Sequence, residues 1–264
     1  MRVGFIGCGN MGQAMMAGML DSAKVLAKDI VVSDKMAAAK ENVGKKYGVV
    51  TADSNTEVIA GADVIFLAVK PQFFEEVLAE IKGAVTDEKI LVSIAPGKTL
   101  AWLEEKLEKS CKIVRTMPNT PALVKEGMMG ICANGKVSEE ELAMVCDLCS
   151  AFSKTEIVPE NLMDVVTAVS GSSPAYVFMF IEAMADAAVE GGMPRSQAYT
   201  FAAQAVLGSA KMVLETGIHP GQLKDMVCSP GGTTIQAVRV LEEQGMRAAV
   251  MDAMKACLDK SRSM

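Results

Sequence analysis

The sequence has little of several residue types that mark particular functions. Its 264 residues include a single histidine, His219, which excludes any mechanism that needs two. Lys and Arg total 26 against 32 Asp and Glu, the net charge is −6, and no basic run occurs. Neither nucleic acid nor an anionic membrane is therefore expected as a partner. A long uncharged stretch, 165–181, carries serines, a glycine and a proline in its middle, which argues against a membrane span.

Cysteine usage indicates a reducing compartment. Seven cysteines are scattered along the chain instead of forming a dense disulfide framework, so we expect a cytoplasmic protein. Cys146 and Cys149 form a CxxC motif, but it lies in a stretch with helical spacing of apolar residues and no second ligand pair follows. We therefore expect buried thiols and no metal site. His219 precedes Pro220 at a predicted helix start, which favours a structural role.

Half of the residues are hydrophobic, and their pattern changes along the chain. Up to about residue 158, short β-rich runs alternate with amphipathic helical runs, which predicts a parallel sheet with helices on both faces. From residue 159 onward the strand signals stop and only helical patterns follow. We therefore expect an α/β domain over 1–158 and an all-α domain over 159–264. The strand candidates are MRVGFIG, DIVVSD, GVVTAD, ADVIFLAVK, KILVSIAPG and CKIVRTMPN.

The predicted C-terminal helices, over 175–190, 194–215 and from Ile235 onward, are apolar nearly all round. Two examples are AYVFMFIEAMADAAV and YTFAAQAVLGSAKMVL. A helix of this kind has to be buried, and a second copy of the chain would cover it. The expectation is a homodimer through the helical domain, with a higher oligomer of dimers left open.

A glycine-rich segment follows the first predicted strand and opens the first helix. It fits the pattern G-x-G-x-x-G, in which glycines permit a tight turn, close approach of the backbone to a pyrophosphate, and close packing of helix on strand. The helix N-terminus adds free N–H groups and a partial positive charge. The segment predicts a dinucleotide-binding Rossmann domain, with cofactor contacts from Gly7, Cys8, Gly9, Asn10, Met11 and Gly12.

Asp34 closes the second predicted strand, where an acidic side chain can bind a ribose 2′-hydroxyl and favour NAD. Ser33 and Lys35 flank it and are alternative contacts for a 2′-phosphate. The sequence thus leaves NADH and NADPH open as cofactor.

Further cofactor contacts are expected where other strands end. The fourth strand ends at the carboxyl edge of the sheet, where ligands of open α/β folds bind, and there Lys70 is either a surface residue or a cofactor contact. Asn119 stands between two prolines after the sixth strand, as part of a tight turn or facing the nicotinamide or substrate. The set of further expected contacts is Asn55, Ala68, Val69, Lys70, Pro71 and Asn119.

Five segments together resemble pyrroline-5-carboxylate reductase, and the likeness runs nearly end to end. They are GFIGCGNMG, LAVKP, MPNTPALV, SGSSPAYVFMFIEAMADAAVEGGMPR and CSPGGTTIQAVRVLEE. The resemblance implies reduction of 1-pyrroline-5-carboxylate to L-proline by NAD(P)H, the last step of proline biosynthesis. It also implies a Rossmann domain followed by an interlocking helical dimerisation domain. The chain departs from the family pattern at Met226, where an amide is common, and at residues 95–97, which read APG where AAG is common.

The last of these segments carries the expected substrate site. Gly231 and Gly232 precede a helix that begins near Thr233, so their N–H groups can face the substrate carboxylate. Thr234 matches the family threonine that bonds the ring nitrogen, and it is the expected catalytic residue, with an orienting and proton-relaying role. Thr233 or Ser229 is expected to be the N-cap of the helix, and both belong to the predicted substrate-binding set. Ser172 precedes another predicted helix, and we favour a capping role there over a place in the pocket.

Three alternatives remain open at this point. A β-hydroxyacid dehydrogenase of the 6-phosphogluconate type relies on a lysine in its helical region, but this chain has no lysine between Lys154 and Lys211. A non-catalytic NAD(P) sensor would not need the CSPGGTT segment. Reduction of larger cyclic imino acids depends on pocket size, which the sequence does not give.

Overall fold

The computed structural model of the protein describes residues 1–263, which form two compact units. One, here called the sheet unit, comprises Met1–Ser172 and the residues from Cys257 onward. The other, the helical unit, comprises Ser173–Ala256.

The sheet unit contains all eight strands and the first seven α-helices. The strands are β1 Val3–Ile6, β2 Ile30–Ser33, β3 Val50–Thr51, β4 Val64–Leu67, β5 Ile90–Ser93, β6 Lys112–Met117, β7 Gly127–Ala133 and β8 Ser153–Ile157. The helices are α1 Asn10–Asp21, α2 Ala37–Tyr47, α3 Asn55–Gly61, α4 Phe74–Ile81, α5 Leu100–Leu107, α6 Glu139–Cys149 and α7 Met163–Val166. Short 3₁₀ helices lie at Ala27–Asp29, Pro71–Phe73, Thr120–Val124 and Glu160–Leu162, and a π-helix lies at Thr167–Gly171.

The strands form one sheet in the order β3-β2-β1-β4-β5-β6-β7-β8. Every neighbouring pair is parallel except β6 with β7. The mostly parallel sheet predicted from the sequence is therefore confirmed. Strand order reverses between β1 and β4, and the crevice at such a reversal is where open α/β sheets bind ligands.

Successive residues of the central strands pack on opposite faces of this sheet. Phe5 and Phe66 stack at 5.1 Å between ring centroids in the core on one face. Ile65 and Leu67 belong to the core on the other face. The strands are thus buried on both sides, which explains why they read as short continuous apolar runs.

The sequence patterns missed β7 and β8. β7 contains Gly127 and Gly130, and β8 is largely polar, so both have low strand propensity. Packing requires the two glycines: a Cβ on Gly127 would lie 2.2 Å from the Ser153 Oγ, and one on Gly130 would lie 2.8 Å from Val166. Close tertiary contact, and not propensity, therefore forms this edge of the sheet.

The segment after β8 stays with the sheet unit. Met163 is buried in the core, and the buried guanidinium of Arg115 on β6 donates to the Glu160 carboxylate at 3.0 Å. The sheet itself ends at Ile157, close to the boundary expected between residues 158 and 159, whereas the compact units divide between Ser172 and Ser173.

The helical unit contains α8 Ser173–Glu190, α9 Arg195–Thr216, α10 Pro220–Val227, α11 Thr233–Glu243 and most of α12. Helix α12 spans Met246–Arg262, and its residues from Cys257 belong to the sheet unit. The predicted helices over 175–190 and 194–215 are thus present within a residue or two. In 173–256, the apolar side chains that are fully buried are only Ala185, Ala198 and Ala202. This unit therefore has almost no hydrophobic core of its own.

One helical stretch, Glu160–Glu190, is long and apolar enough to cross a membrane by length and composition alone. Only 11% of its most apolar window is buried within the chain. The stretch includes the π-helix, and large side chains of α8 such as Phe178, which is 61% exposed, contribute to its open surface.

Candidate active site

The three glycines of the loop between β1 and α1 each meet a different steric demand. Gly7 has φ +106°, and a Cβ there would lie 2.6 Å from the Ala68 carbonyl oxygen of the neighbouring strand end. A Cβ on Gly12 would lie 2.8 Å from the Gly7 oxygen, so the helix packs closely on the loop. A Cβ on Gly9 would meet no atom within 4 Å. The space in front of Gly9 is the place where a pyrophosphate can approach the backbone.

The N-terminus of α1 presents free backbone donors. Gly9 is its N-cap, no side chain caps the helix, and its first turn has no acidic residue. The Asn10 and Met11 N–H groups therefore remain available, together with the partial positive charge of a 12-residue helix. The Gln13 amide donates to the Cys8 carbonyl at 2.8 Å and fixes the loop, a contact that the motif alone does not reveal.

Cys8 is buried in this loop and is not a reactive thiol. Burial, with a further contribution from the Asp34 carboxylate, raises the pKa of Cys8 to about 12. Its thiol therefore stays protonated at neutral pH. The Cys8 backbone N–H, by contrast, is engaged, since it donates to the Asp34 Oδ2 at 2.7 Å.

The end of β2 lies beside the loop, as expected. The Gly7 N–H donates to the Ser33 carbonyl at 2.9 Å, which joins β1 to β2 just before the turn. The Ser33 hydroxyl is buried and donates to the Asn55 Oδ1 at 2.7 Å. Lys35 is exposed and pairs with Glu76 at 2.8 Å.

The end of β4 forms the other wall of the crevice. The Ala68 N–H donates to the Ile6 carbonyl at 2.8 Å, and Val69 contacts the position that a Cβ on Gly7 would take. Lys70 is exposed at the N-cap of the 3₁₀ helix that begins at Pro71. The structure thus brings the Ala68–Pro71 segment next to the glycine-rich loop.

The side-chain amides of Asn55 and Asn119 form hydrogen bonds with other groups of the chain. The Asn55 amide nitrogen donates to Glu80 at 2.7 Å, in addition to the bond from Ser33. Asn119 is nearly buried; it donates to the Ser170 carbonyl and accepts from the Met128 N–H, both at 2.9 Å. It therefore ties the turn after β6 to β7 and to the π-helix. Sequence reasoning missed the π-helix, for which the paired glycine and serines in SGSSP were the available signal.

In the helical unit, the CSPGGTT segment forms a turn leading into α11. Gly231 has φ +68°, the left-handed region that favours glycine, and the Gly232 N–H donates to the Ser229 carbonyl at 3.0 Å. α11 begins at Thr233, as predicted, and Thr234 is half-buried. Within residues 1–263, the hydroxyls of Ser229, Thr233 and Thr234 have no hydrogen-bond partner. The segment therefore presents free hydroxyls and free helix N–H groups side by side.

The capping expectations need one correction. The N-cap of α11 is Gly232 and not Thr233 or Ser229, because the tight turn at Gly231 places the glycine at the first half-helical position. Ser172 accepts a hydrogen bond from the Cys257 thiol at 3.2 Å. The structural role of His219 is present: its side chain caps α10 by accepting from the Gly221 N–H at 3.1 Å.

The CxxC pair lies on α6, as expected. Cys149 is fully buried and Cys146 is half-buried, and burial raises the pKa of both thiols. Among residues 1–263, no cluster of three potential metal ligands occurs.

Comparison with known proteins agrees with this geometry. Residues 160–264 match the family model described as pyrroline-5-carboxylate reductase dimerisation, and residues 2–97 match that of the coenzyme F420-dependent NADP oxidoreductases. A pyrroline-5-carboxylate reductase from Escherichia coli is 55% identical over 100% of this chain and 98% of its own length.

Two solved structures are similar over nearly the whole fold. A pyrroline-5-carboxylate reductase from Coxiella burnetii has a TM-score of 0.92 at 34% identity, covering 99% of this chain and 97% of that one. The Plasmodium falciparum pyrroline carboxylate reductase, whose structure has NADP bound, has a TM-score of 0.89 at 33% identity, covering 99% and 97%. The dehydrogenase and sensor alternatives are therefore not favoured.

The dimerisation match also explains the open apolar surface of α8 and α9, which a partner subunit covers in a homodimer. The family is shown by the relatives that are at least 30% identical over nearly the full length of the chain. The glycine-rich loop with open space at Gly9 and the start of α11 without a side-chain cap agree with it. The chain belongs to the pyrroline-5-carboxylate reductase family of NAD(P)H-dependent oxidoreductases.

Proposed function

We propose that this protein reduces 1-pyrroline-5-carboxylate to L-proline and that the CSPGGTT turn holds the substrate. The observation that carries the proposal is the start of α11, where helix N–H groups and the Thr234 hydroxyl are all free. A carboxylate accepts hydrogen bonds from such N–H groups and is stabilised by the helix dipole. Gly231 and Gly232 keep side chains out of its way.

The Thr234 hydroxyl orients the ring. A hydroxyl both donates and accepts, so it accepts from the N–H of an iminium and donates to the nitrogen of proline. It is a weak acid, so its role is to position the nitrogen and relay a proton that water supplies. The reduced nicotinamide, when bound, supplies the hydride that the imine carbon accepts.

The sheet unit holds the cofactor. The backbone N–H groups of residues 9–12 bind the pyrophosphate, Asp34 and its neighbours face the adenosine ribose, and the end of β4 lines the crevice. The proposed contacts are Gly7, Cys8, Gly9, Asn10, Met11, Gly12, Ser33, Asp34, Lys35, Asn55, Ala68, Val69, Lys70, Pro71 and Asn119. For Asn55 and Asn119, whose amides are bonded internally, the proposed role is to shape the pocket wall.

Removing the carboxylate from the substrate tests the anion site. We expect 1-pyrroline to have a kcat/KM lower than that of 1-pyrroline-5-carboxylate by about 100-fold or more, because charge-assisted bonds to backbone N–H groups are lost. Gly231→Ala should shrink this ratio, since alanine strains the left-handed turn that aims the N–H groups. The measurement is the initial rate of reduced-nucleotide oxidation with each imine.

Gly217→Ala is the matched control for this variant. Gly217 has φ +65° and, like Gly231, open space where a Cβ would be, but it ends α9. It should lose similar stability while keeping the wild-type ratio of the two imines. Equal rates with both imines in the wild type would contradict the anion site.

The exposed apolar surface of the helical unit requires assembly. Phe178, Phe201 and Leu214 are 61%, 66% and 72% exposed, and an apolar groove of about 510 Å³ lies among Val238, Leu241, Met246, Val250 and Met251. We propose the homodimer as the smallest stable form, with further association of dimers. Sedimentation at low micromolar concentration should show at least twice the mass of one chain, and a folded monomer would contradict the account.

Two further assignments, of the compartment and of the domain division, complete the proposal. The seven cysteines are all free thiols, which fits a reducing cytoplasm. The chain is best divided functionally into a dinucleotide-binding domain over 1–158 and a dimerisation and substrate domain over 159–264, since the sheet ends at Ile157.

A further inference from the structure

The carboxylate of Asp34 is fixed at the end of β2 by two backbone donors. The Cys8 N–H donates to one oxygen at 2.7 Å, and the Met36 N–H donates to the other at 2.8 Å. The first bond ties Asp34 directly to the glycine-rich loop. The distance from this carboxylate to any nucleotide seated on the loop is therefore set by the backbone and not by a flexible side chain.

Asp34 keeps room for a ribose. An ionised carboxylate accepts about four hydrogen bonds, of which the two backbone donors use two. Asp34 is half-buried, so the remaining acceptor positions are open to a ligand, and the two hydroxyls of a ribose can fill them. A 2′-phosphate, with roughly two negative charges at pH 7, would instead face a fixed negative charge.

The neighbouring ammonium groups are already paired with acids. Lys35 bonds Glu76 at 2.8 Å, and Lys40 bonds Asp53 at 2.8 Å and the Ala52 carbonyl at 2.9 Å. A 2′-phosphate would have to take a lysine from its carboxylate, and the released carboxylate would stay nearby.

The Ser33 and Asn55 side chains near the end of β2 do not replace these lysines as partners of a 2′-phosphate. The Ser33 hydroxyl, which could otherwise bind a phosphate, is buried and donates to Asn55 at 2.7 Å. Asn55 in turn donates its amide to the Glu80 carboxylate. This chain of bonds ends on another negative charge.

From this geometry we propose that Asp34 makes this enzyme prefer NADH over NADPH. The inference rests on the assignment of the Gly7–Gly12 loop as the cofactor site. It is drawn from the residues of this chain. It does not depend on the NADP bound in the structure of the Plasmodium falciparum relative, which is 33% identical.

Binding of two nucleotide fragments tests the proposal without turnover. Calorimetry should give ADP-ribose a Kd lower than that of 2′-phospho-ADP-ribose by about 10-fold or more, as expected for a like charge placed against a phosphate. The kcat/KM ratio of NADH to NADPH should show the same preference. Asp34→Asn removes the charge and keeps an acceptor oxygen, so it should lower both ratios by about 10-fold or more.

Asp87→Asn is the control for a general change of charge. It removes one negative charge from an exposed carboxylate just before β5, at the amino ends of the strands and away from the end of β2, so both ratios should stay within about twofold of wild type. Equal or tighter binding of the 2′-phospho fragment by wild type would overturn the NADH preference and leave the cofactor site standing. Failure of both fragments to bind would instead overturn the cofactor-site assignment.

Discussion

Replacing Thr234 with alanine is expected to lower kcat/KM for 1-pyrroline-5-carboxylate by about 10- to 1000-fold, the usual loss for one positioned hydrogen bond. Thr234 is half-buried in the first turn of α11, and its hydroxyl has no partner among residues 1–263. No internal bond is therefore broken by the substitution. The loss should fall on substrate turnover, because the proposed role of the hydroxyl is to orient the ring nitrogen.

Two measurements separate this role from a structural one. The affinity for the reduced nucleotide should remain within about twofold of wild type, since all the proposed cofactor contacts lie in the sheet unit. Thr234→Ser retains the hydroxyl and should recover most of the lost kcat/KM, whereas a merely structural threonine would show no such rescue. Wild-type turnover by Thr234→Ala would remove Thr234 from the mechanism.

Replacing Gly9 with valine is expected to raise the KM for both NADH and NADPH by about 100-fold or more, equivalent to about 3 kcal/mol of lost binding. Gly9 has φ −67° and ψ −179°, an extended conformation that any residue adopts, and its missing Cβ faces open space. The free protein therefore tolerates the side chain, while a pyrophosphate that needs the same space does not.

Stability distinguishes Gly9 from the other loop glycines. Gly9→Val should leave Tm nearly unchanged, as should the control Gly83→Val, where a Cβ likewise meets no atom within 4 Å. Gly7→Ala should lower Tm, because its Cβ would lie 2.6 Å from the Ala68 oxygen in a left-handed conformation. A normal KM for both nucleotides in Gly9→Val would contradict the assigned position of the pyrophosphate.

Much of the sheet unit follows from local sequence. The central strands β1, β4 and β5 are short apolar runs because both faces of the sheet are covered, and the G-x-G-x-x-G spacing places the loop correctly between β1 and α1. β7 and β8 could not be found this way. Gly127 and Gly130 lie in β7 because neighbouring side chains leave no room for a Cβ, and this contact joins residues far apart in the chain.

The features of the candidate site likewise fall into those that local sequence predicts and those that it does not. The glycine-rich loop and the start of α11 are readable because local backbone geometry requires glycine there. The bond from the Cys8 N–H to Asp34 and the two bonds of Asn119 join residues distant in sequence, so residue type alone does not predict them. The homodimer was predictable from composition, because helices that are apolar nearly all round need a partner surface.

The most direct test of the whole account is the initial rate of NADH and NADPH oxidation with 1-pyrroline-5-carboxylate, followed by detection of L-proline. We expect one reduced nucleotide to be consumed for each proline formed and NADH to be the better cofactor. Binding of the reduced nucleotide without any oxidation in the presence of the imine would contradict the assigned reductase activity and favour a nucleotide sensor.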